Sequence, residues 1–321
     1  MLDGSSPAGL SGPDAERFDP LHVYHEWMRT RAAATGPSRL AEPGLPSVSE
    51  ADETLFGSYR RAVLTDLGTD FRLGFKLAYF ANFASPAIAA PLDASSEIAR
   101  QPMRRAKDTS IVVYEILTNG FDSERGARMV DLLRRVHRGV PGSADDYRYV
   151  LLTLLVIPVR MVDRSGPRRL TDRERADAAR FHSRLGAEIG LDDAEVTYAE
   201  AVAFCRRYER EHLRRSAAGD RLTASTLGAL LASVPAALRP LADVVARFGL
   251  SALLGDPRMA RALGFPVVPV PVARVVAALR RAGRRRGRDG LEARIAFTSG
   301  EPSRTYPAGY RLDEIGPGAD R

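Results

Sequence analysis

Apolar residues recur at three- and four-residue intervals through most of this 321-residue chain, and runs of alternating polarity are almost absent. An α-helix turns once in about 3.6 residues, so this spacing stacks apolar side chains along one face of each helix, whereas a half-buried strand needs a period of two. The period predicts an all-α fold. Apolar residues make up 45% of the chain, enough for a substantial core, and a single large helical domain is expected over residues 21–288. Residues 1–20, rich in Gly, Ser, Pro and Asp, and residues 289–321, with Pro302, Pro307 and Pro317, are expected to be flexible tails.

Several function classes fall away on composition. The formal net charge is +7, but lysine occurs only at Lys76 and Lys107. Arginine-for-lysine usage in an alanine-rich chain reads as the mark of a GC-rich coding sequence, so no nucleic-acid partner is expected. The single Cys205 excludes an internal disulfide and any cysteine cage for zinc or iron–sulfur, and it fits a reducing cytoplasm, the expected location. The first 20 residues have neither the basic nor the apolar region of a secretory signal. The longest apolar run, Tyr149 to Val159, is short of the roughly 20 residues that span a bilayer and reads as a buried helix. No Gly-rich phosphate loop supports a flavin, nicotinamide or nucleotide site.

The most informative stretch runs from Gln101 to Gly142. Pro102 suits a first helical turn, where its missing N–H is not needed, and Asn119-Gly120 suits a helix end. Within that helix Arg105 and Thr109 are four residues apart and share a face that continues into Val112, Val113 and Ile116. A second helix is expected over about Glu124–His137, with Gly126, Val130, Leu133 and His137 in one row. His137 therefore points the same way as the row's leucine and valine. By itself such a histidine is more often a satisfied core residue than a ligand.

Other candidates rank lower. His22 and His25 have metal-compatible spacing but lack a third ligand beyond Glu26. His182 and His212 sit among Arg and Glu and read as solvated surface. Cys205, among Ala201, Phe204 and Tyr208, reads as a small buried filler, with a thiolate ligand role as the minor alternative. Tyr147 and Tyr149 read as packing residues, as do Phe71, Phe75, Phe80 and Phe83. Arg280, Arg281, Arg284, Arg285, Arg286 and Arg288 read as a solvated helix end, with peripheral membrane contact through Arg280–Arg288 as the alternative.

Taken in order, Arg105-x-x-x-Thr109, Val136-His137-x-x-Val140-x-Gly142, Tyr147, the apolar Val150–Val162 and Thr171-Asp172-x-Glu174 with Gly186 and Gly190-Leu191 form a pattern. It resembles the catalytic domain shared by latex-clearing rubber oxygenases and MpaB-type oxygenases. The likeness runs over roughly residues 60–280 and includes Leu238-Arg239-Pro240 and Leu263-Gly264. The resemblance implies a globin-like helical domain binding one haem b, with His137 as the iron ligand and Arg105 and Thr109 beside the haem as cofactor-binding and catalytic residues. It implies O2-dependent oxidation, or oxidative C=C cleavage, of an apolar isoprenoid-like substrate. One position departs: the family's iron-capping lysine is replaced by Asp108, and Lys107 lies about 100° away around a helix. The family's distal carboxylate has no counterpart nearer than Glu97. A haem-binding sensor or carrier without turnover, and a cofactor-free helical interaction protein, remain the alternatives.

Overall fold

A computed structural model describes residues 45–95, 97–192, 194–286 and 297–316, and no strand occurs among them. The all-α expectation holds. His22, His25, Arg288 and the first tail lie outside the described residues.

Helix α1 (Glu50–Arg61) starts at Ser49, whose hydroxyl accepts the Asp52 N–H at 3.1 Å, and runs on through a π-turn at Ala62–Asp66. Helix α2 (Gly68–Ala81) ends in a 3-10 turn at Asn82–Ala84, and Pro86 opens α3 (Pro86–Ala94). A short α4 (Glu97–Arg100) leads to α5 (Pro102–Asn119) and α6 (Glu124–His137), which begin and end where the sequence places them. Gly120 adopts φ 85° between them, and a Cβ there would lie 2.4 Å from an Asp52 carboxylate oxygen. Only glycine fits that turn.

Three helices in succession carry the same start signal. In α7 (Ala144–Ser165), α8 (Asp172–Glu188) and α9 (Tyr198–His212), a Ser or Thr caps the helix and an acid at the third position bonds back. Helix α7 is the hub: α2, α8, α9, α11 (Arg239–Leu254) and α13 (Val270–Arg286) all pack on it. At the α2 crossing Gly74 lets the backbones approach, since a Cβ there would sit 2.5 Å from Pro158 Cα. Helix α10 (Ala217–Leu230) covers α3 to α5, and α12 (Pro257–Ala262) packs on α9.

The core is aromatic where α1, α2 and α8 meet. Phe56, Phe121 and Phe181 contact edge-on or tilted with ring centroids 5.2–5.8 Å apart. The inner face of α8 corrects one expectation: His182 is fully buried against Tyr59 and Phe181, not solvated. Its Nδ1 bonds to the Ala178 carbonyl at 2.8 Å, while its buried Nε2 finds no hydrogen-bond partner among the described residues.

Two further expectations change. Four arginines near the end of α13 reach back to the protein body. Arg280 and Arg284 pair with the buried Asp70 at 2.7 and 3.3 Å, Arg281 donates to the Asp163 carbonyl, and Arg285 donates to the Pro167 carbonyl. The fully buried carboxylate of Asp70 draws them in. Within the stretch expected to be a tail, residues 297–316 lie along α5 as a strap with Phe297, Tyr306, Tyr310 and Ile315 buried. Phe297 stacks on Tyr114, Ser299 donates to Glu115 at 2.9 Å, and Tyr306 donates to Asp108 at 2.5 Å. Two buried carboxylates on α5, Asp108 and Glu115, hold the strap.

Candidate active site

One apolar cleft, partly open to solvent, lies among α2, α3, α5, α6 and α7. Its walls include Phe83, Ile88, Val112, Leu133, Val136 and Leu154. Into it the structure brings together Arg105, Thr109 and His137, the three residues singled out from the sequence.

Helix α6 positions His137. Ser123 caps that helix by accepting the Gly126 N–H at 2.9 Å, and Gly126 itself must lack a side chain because a Cβ would meet the Gly120 carbonyl. Four residues, about one helical turn, separate Leu133 from His137 and carry the ring to the cleft wall. His137 Nδ1 lies 2.8 Å from the Leu133 carbonyl oxygen. A carbonyl only accepts, so Nδ1 carries the proton and Nε2 keeps its lone pair. Burial lowers the pKa of His137, the nearby Arg105 guanidinium lowers it further, and the Leu133 bond opposes them. The ring is therefore neutral at neutral pH.

Arg105 and Thr109 form a unit on α5. Arg105 Nη1 donates to Thr109 Oγ1 at 2.7 Å, and Thr109 Oγ1 donates to the Arg105 carbonyl at 3.0 Å. The hydroxyl is thus spent on orienting the guanidinium. Asp108 also borders the cleft, yet its carboxylate is taken by Tyr306 and by the Gly316 N–H at 3.2 Å. Burial raises its pKa, and these hydrogen bonds oppose the rise. Lys107 is not among the cleft-lining residues, as its register requires.

Sequence reasoning missed several contributors. Tyr79 lines the cleft, and its buried hydroxyl finds no hydrogen-bond partner within the described residues. Burial pushes its pKa up to about 12. A signal existed: Tyr79 lies four residues before Phe83, on the same face of α2. Tyr147 does more than pack. It donates to the Val140 carbonyl at 2.5 Å, pinning the turn after α6, and its ring meets His137 edge-on at 5.7 Å. Ile315 and Gly316, from the strap, close one side of the cleft. No local pattern could have announced them.

The remaining candidates lie elsewhere. His182 is sealed in the core, and His212 stands partly exposed against Tyr208. Cys205 is buried outside the cleft and burial raises its pKa well above the usual thiol range, so it is no thiolate. The side chain of Glu97 lies outside the described set. Among the described residues no group of three or more His, Cys, Asp or Glu is placed to hold a metal ion.

An all-helical domain enclosing an apolar cleft, with one neutral imidazole in its wall and an arginine oriented beside it, is built to hold an apolar ligand or cofactor. Residues 66–285, more than half of the chain, match the family described as ER-bound oxygenase mpaB/B'/Rubber oxygenase, catalytic domain, and the chain belongs to that family. Comparison with curated proteins finds no match. The matched span includes Tyr79, Arg105, Thr109 and His137, whereas Ile315 and Gly316 lie beyond it.

Proposed function

We propose that this chain is a haem b-dependent oxygenase, in which His137 Nε2 would bind the iron and Arg105 and Thr109 would line the site beside the bound group. Its substrates are O2 and an apolar, isoprenoid-like molecule. The observation that carries this reading is the bond from His137 Nδ1 to the Leu133 carbonyl. It fixes the tautomer and leaves Nε2 as the donor atom, the arrangement in which ligating histidines are held. The donor set agrees. With one imidazole in the cleft, an iron ion needs its other ligands from a macrocycle, which haem supplies.

The chain's own contributions follow from geometry. The lowered pKa keeps His137 neutral, so ligation displaces no proton. The Thr109 contact holds the Arg105 guanidinium against rotation, ready to pair with a carboxylate or a developing negative charge. The Tyr79 hydroxyl, without a hydrogen-bond partner among the described residues, would bond a polar atom in the cleft. Phe83, Ile88, Val112 and Leu154 exclude water and receive an apolar chain. When bound, haem supplies O2 activation for oxidation of an alkene.

Visible absorption of the purified protein after haem reconstitution tests the reading. The expected result is a Soret band that shifts on reduction and with carbon monoxide, disappears in His137→Ala with unchanged far-ultraviolet circular dichroism, and survives in His212→Ala. A flat spectrum for the reconstituted wild type overturns it. Oxygen uptake with an apolar alkene then separates turnover from simple carriage of the haem.

A further inference from the structure

Ten of the 13 exposed large apolar side chains among the described residues fall between Leu238 and Leu279. None of these ten lines the cleft, and nothing in the proposed chemistry uses them. On α11, Leu241, Val244, Val245 and Phe248 follow the spacing of a single helical stripe, and on α13 Val272, Val275 and Leu279 do the same. The two helices pack against each other. Exposure is high: 61% at Leu241, Val244 and Val245, and 68% at Leu279. Soluble monomers rarely leave so large an apolar area uncovered.

The polar side of α13 is already occupied. Arg280 and Arg284 clamp Asp70, and Arg281 and Arg285 donate to backbone carbonyls of the body. These four arginines hold the C-terminal half of the helix to the body while its apolar stripe faces outward, the inverse of an ordinary surface helix. Charge says what covers it. Residues 235–286 hold ten arginines against Asp243 and Asp256, a formal +8, or +7 once Asp70, the partner of Arg280 and Arg284, is counted with them; the whole chain carries +7, so the rest of the molecule sums to zero. Arg258, Arg261 and Arg274 in this segment are exposed. A second copy docking here would bring one strongly positive face against another. An anionic lipid surface offers both acyl chains for the stripe and opposite charge for the arginines.

We infer that the α11–α13 face is an interfacial docking surface for an anionic lipid bilayer, entered without crossing it. No described helix is long and apolar enough to span a membrane. This surface goes beyond the oxygenase reading and does not depend on haem.

Co-flotation of the full-length protein with lipid vesicles tests the inference. Vesicles of phosphatidylcholine containing phosphatidylglycerol should carry the protein up the gradient, pure phosphatidylcholine should carry much less, and high salt should weaken the association. Val244→Asp combined with Leu279→Glu should lower the partition coefficient roughly tenfold or more. Both sites are exposed, so the fold should persist by circular dichroism. Met103→Glu, at an exposed residue of α5, should leave binding unchanged. Absence of vesicle binding, or equal binding by the double variant, overturns the inference. So does a dimer in sedimentation velocity that the double variant dissociates, which would give the face to a second copy. Because no haem is needed, a negative result leaves the Soret test untouched, and a flat Soret spectrum leaves the vesicle test untouched.

Discussion

Burial moves two titrating residues in opposite directions. Desolvation lowers His182 from 6.5 to about 4, against the Ala178 hydrogen bond. The unfolded chain therefore binds the proton first, and the native state loses stability as pH falls from about 6.5 to about 4, by up to about 3 kcal/mol. Glu209 behaves oppositely. Burial raises it from 4.5 to about 7 despite Arg160 at 3.8 Å, so here stability falls as pH rises through that interval. The two effects oppose each other between about 4.5 and 6.5. Urea unfolding across this range should show it: Glu209→Gln removes the opposing slope and leaves a variant that weakens on acidification, whereas His182→Gln leaves one that weakens on alkalinisation. Parallel pH profiles for the two variants would refute the assignment. In the sequence His182 read as solvated surface and Glu209 drew no notice. The Arg/Glu-rich neighbours of His182 lie on the outer face of α8, and only the contact with Tyr59 shows that this residue faces in.

At the scale of elements, helix ends were the legible part. Ser143 with Asp146, Thr171 with Glu174 and Gly120 act through hydrogen bonds and backbone angles within four residues, so the chain carries them on its face. Which helices touch is a different matter, and Gly74 illustrates it. The α2–α7 crossing brings Pro158 backbone where a Cβ would stand, and backbone cannot step aside. Gly74→Ala is expected to cost about 1–3 kcal/mol in chemical denaturation, despite alanine's better helix propensity. Gly249, in the middle of α11, has nothing within 4 Å of its would-be Cβ. Gly249→Ala is expected to stabilise by up to about 1 kcal/mol. Equal effects at the two positions would mean that propensity, not the crossing, governs both.

For the molecule as a whole, the strap joins the chain's end to its middle. Glu115 is fully buried and accepts from Arg125 at 2.7 and 2.8 Å, from Asn119, from Ser299 and from the Tyr310 hydroxyl. Glu115→Ala strands all of these donors. The expected loss is about 3 kcal/mol, near the low end for a broken buried pair because Arg125 is 36% exposed and regains water. Tyr310→Phe removes one bond and should cost about 1 kcal/mol. Limited proteolysis should cut within residues 297–316 sooner in Glu115→Ala than in wild type. Unchanged cleavage would show that Phe297 and Tyr306 hold the strap unaided.

The sequence by itself determined the all-α class and the bounds of α5 and α6, because helical periodicity, caps and side-chain rows are interactions between near neighbours; Arg105, Thr109 and His137 were singled out by resemblance to a family pattern, and packing put the three on one cleft. Tertiary structure alone decided that Asp108 anchors Tyr306 and Gly316 some 200 residues away, that Ile315 closes the cleft, and that Arg280 and Arg284 of α13 meet Asp70 while its apolar stripe faces out. Those outcomes depend on which buried charge or void each side chain meets once the helices pack. A linear pattern holds no record of that meeting.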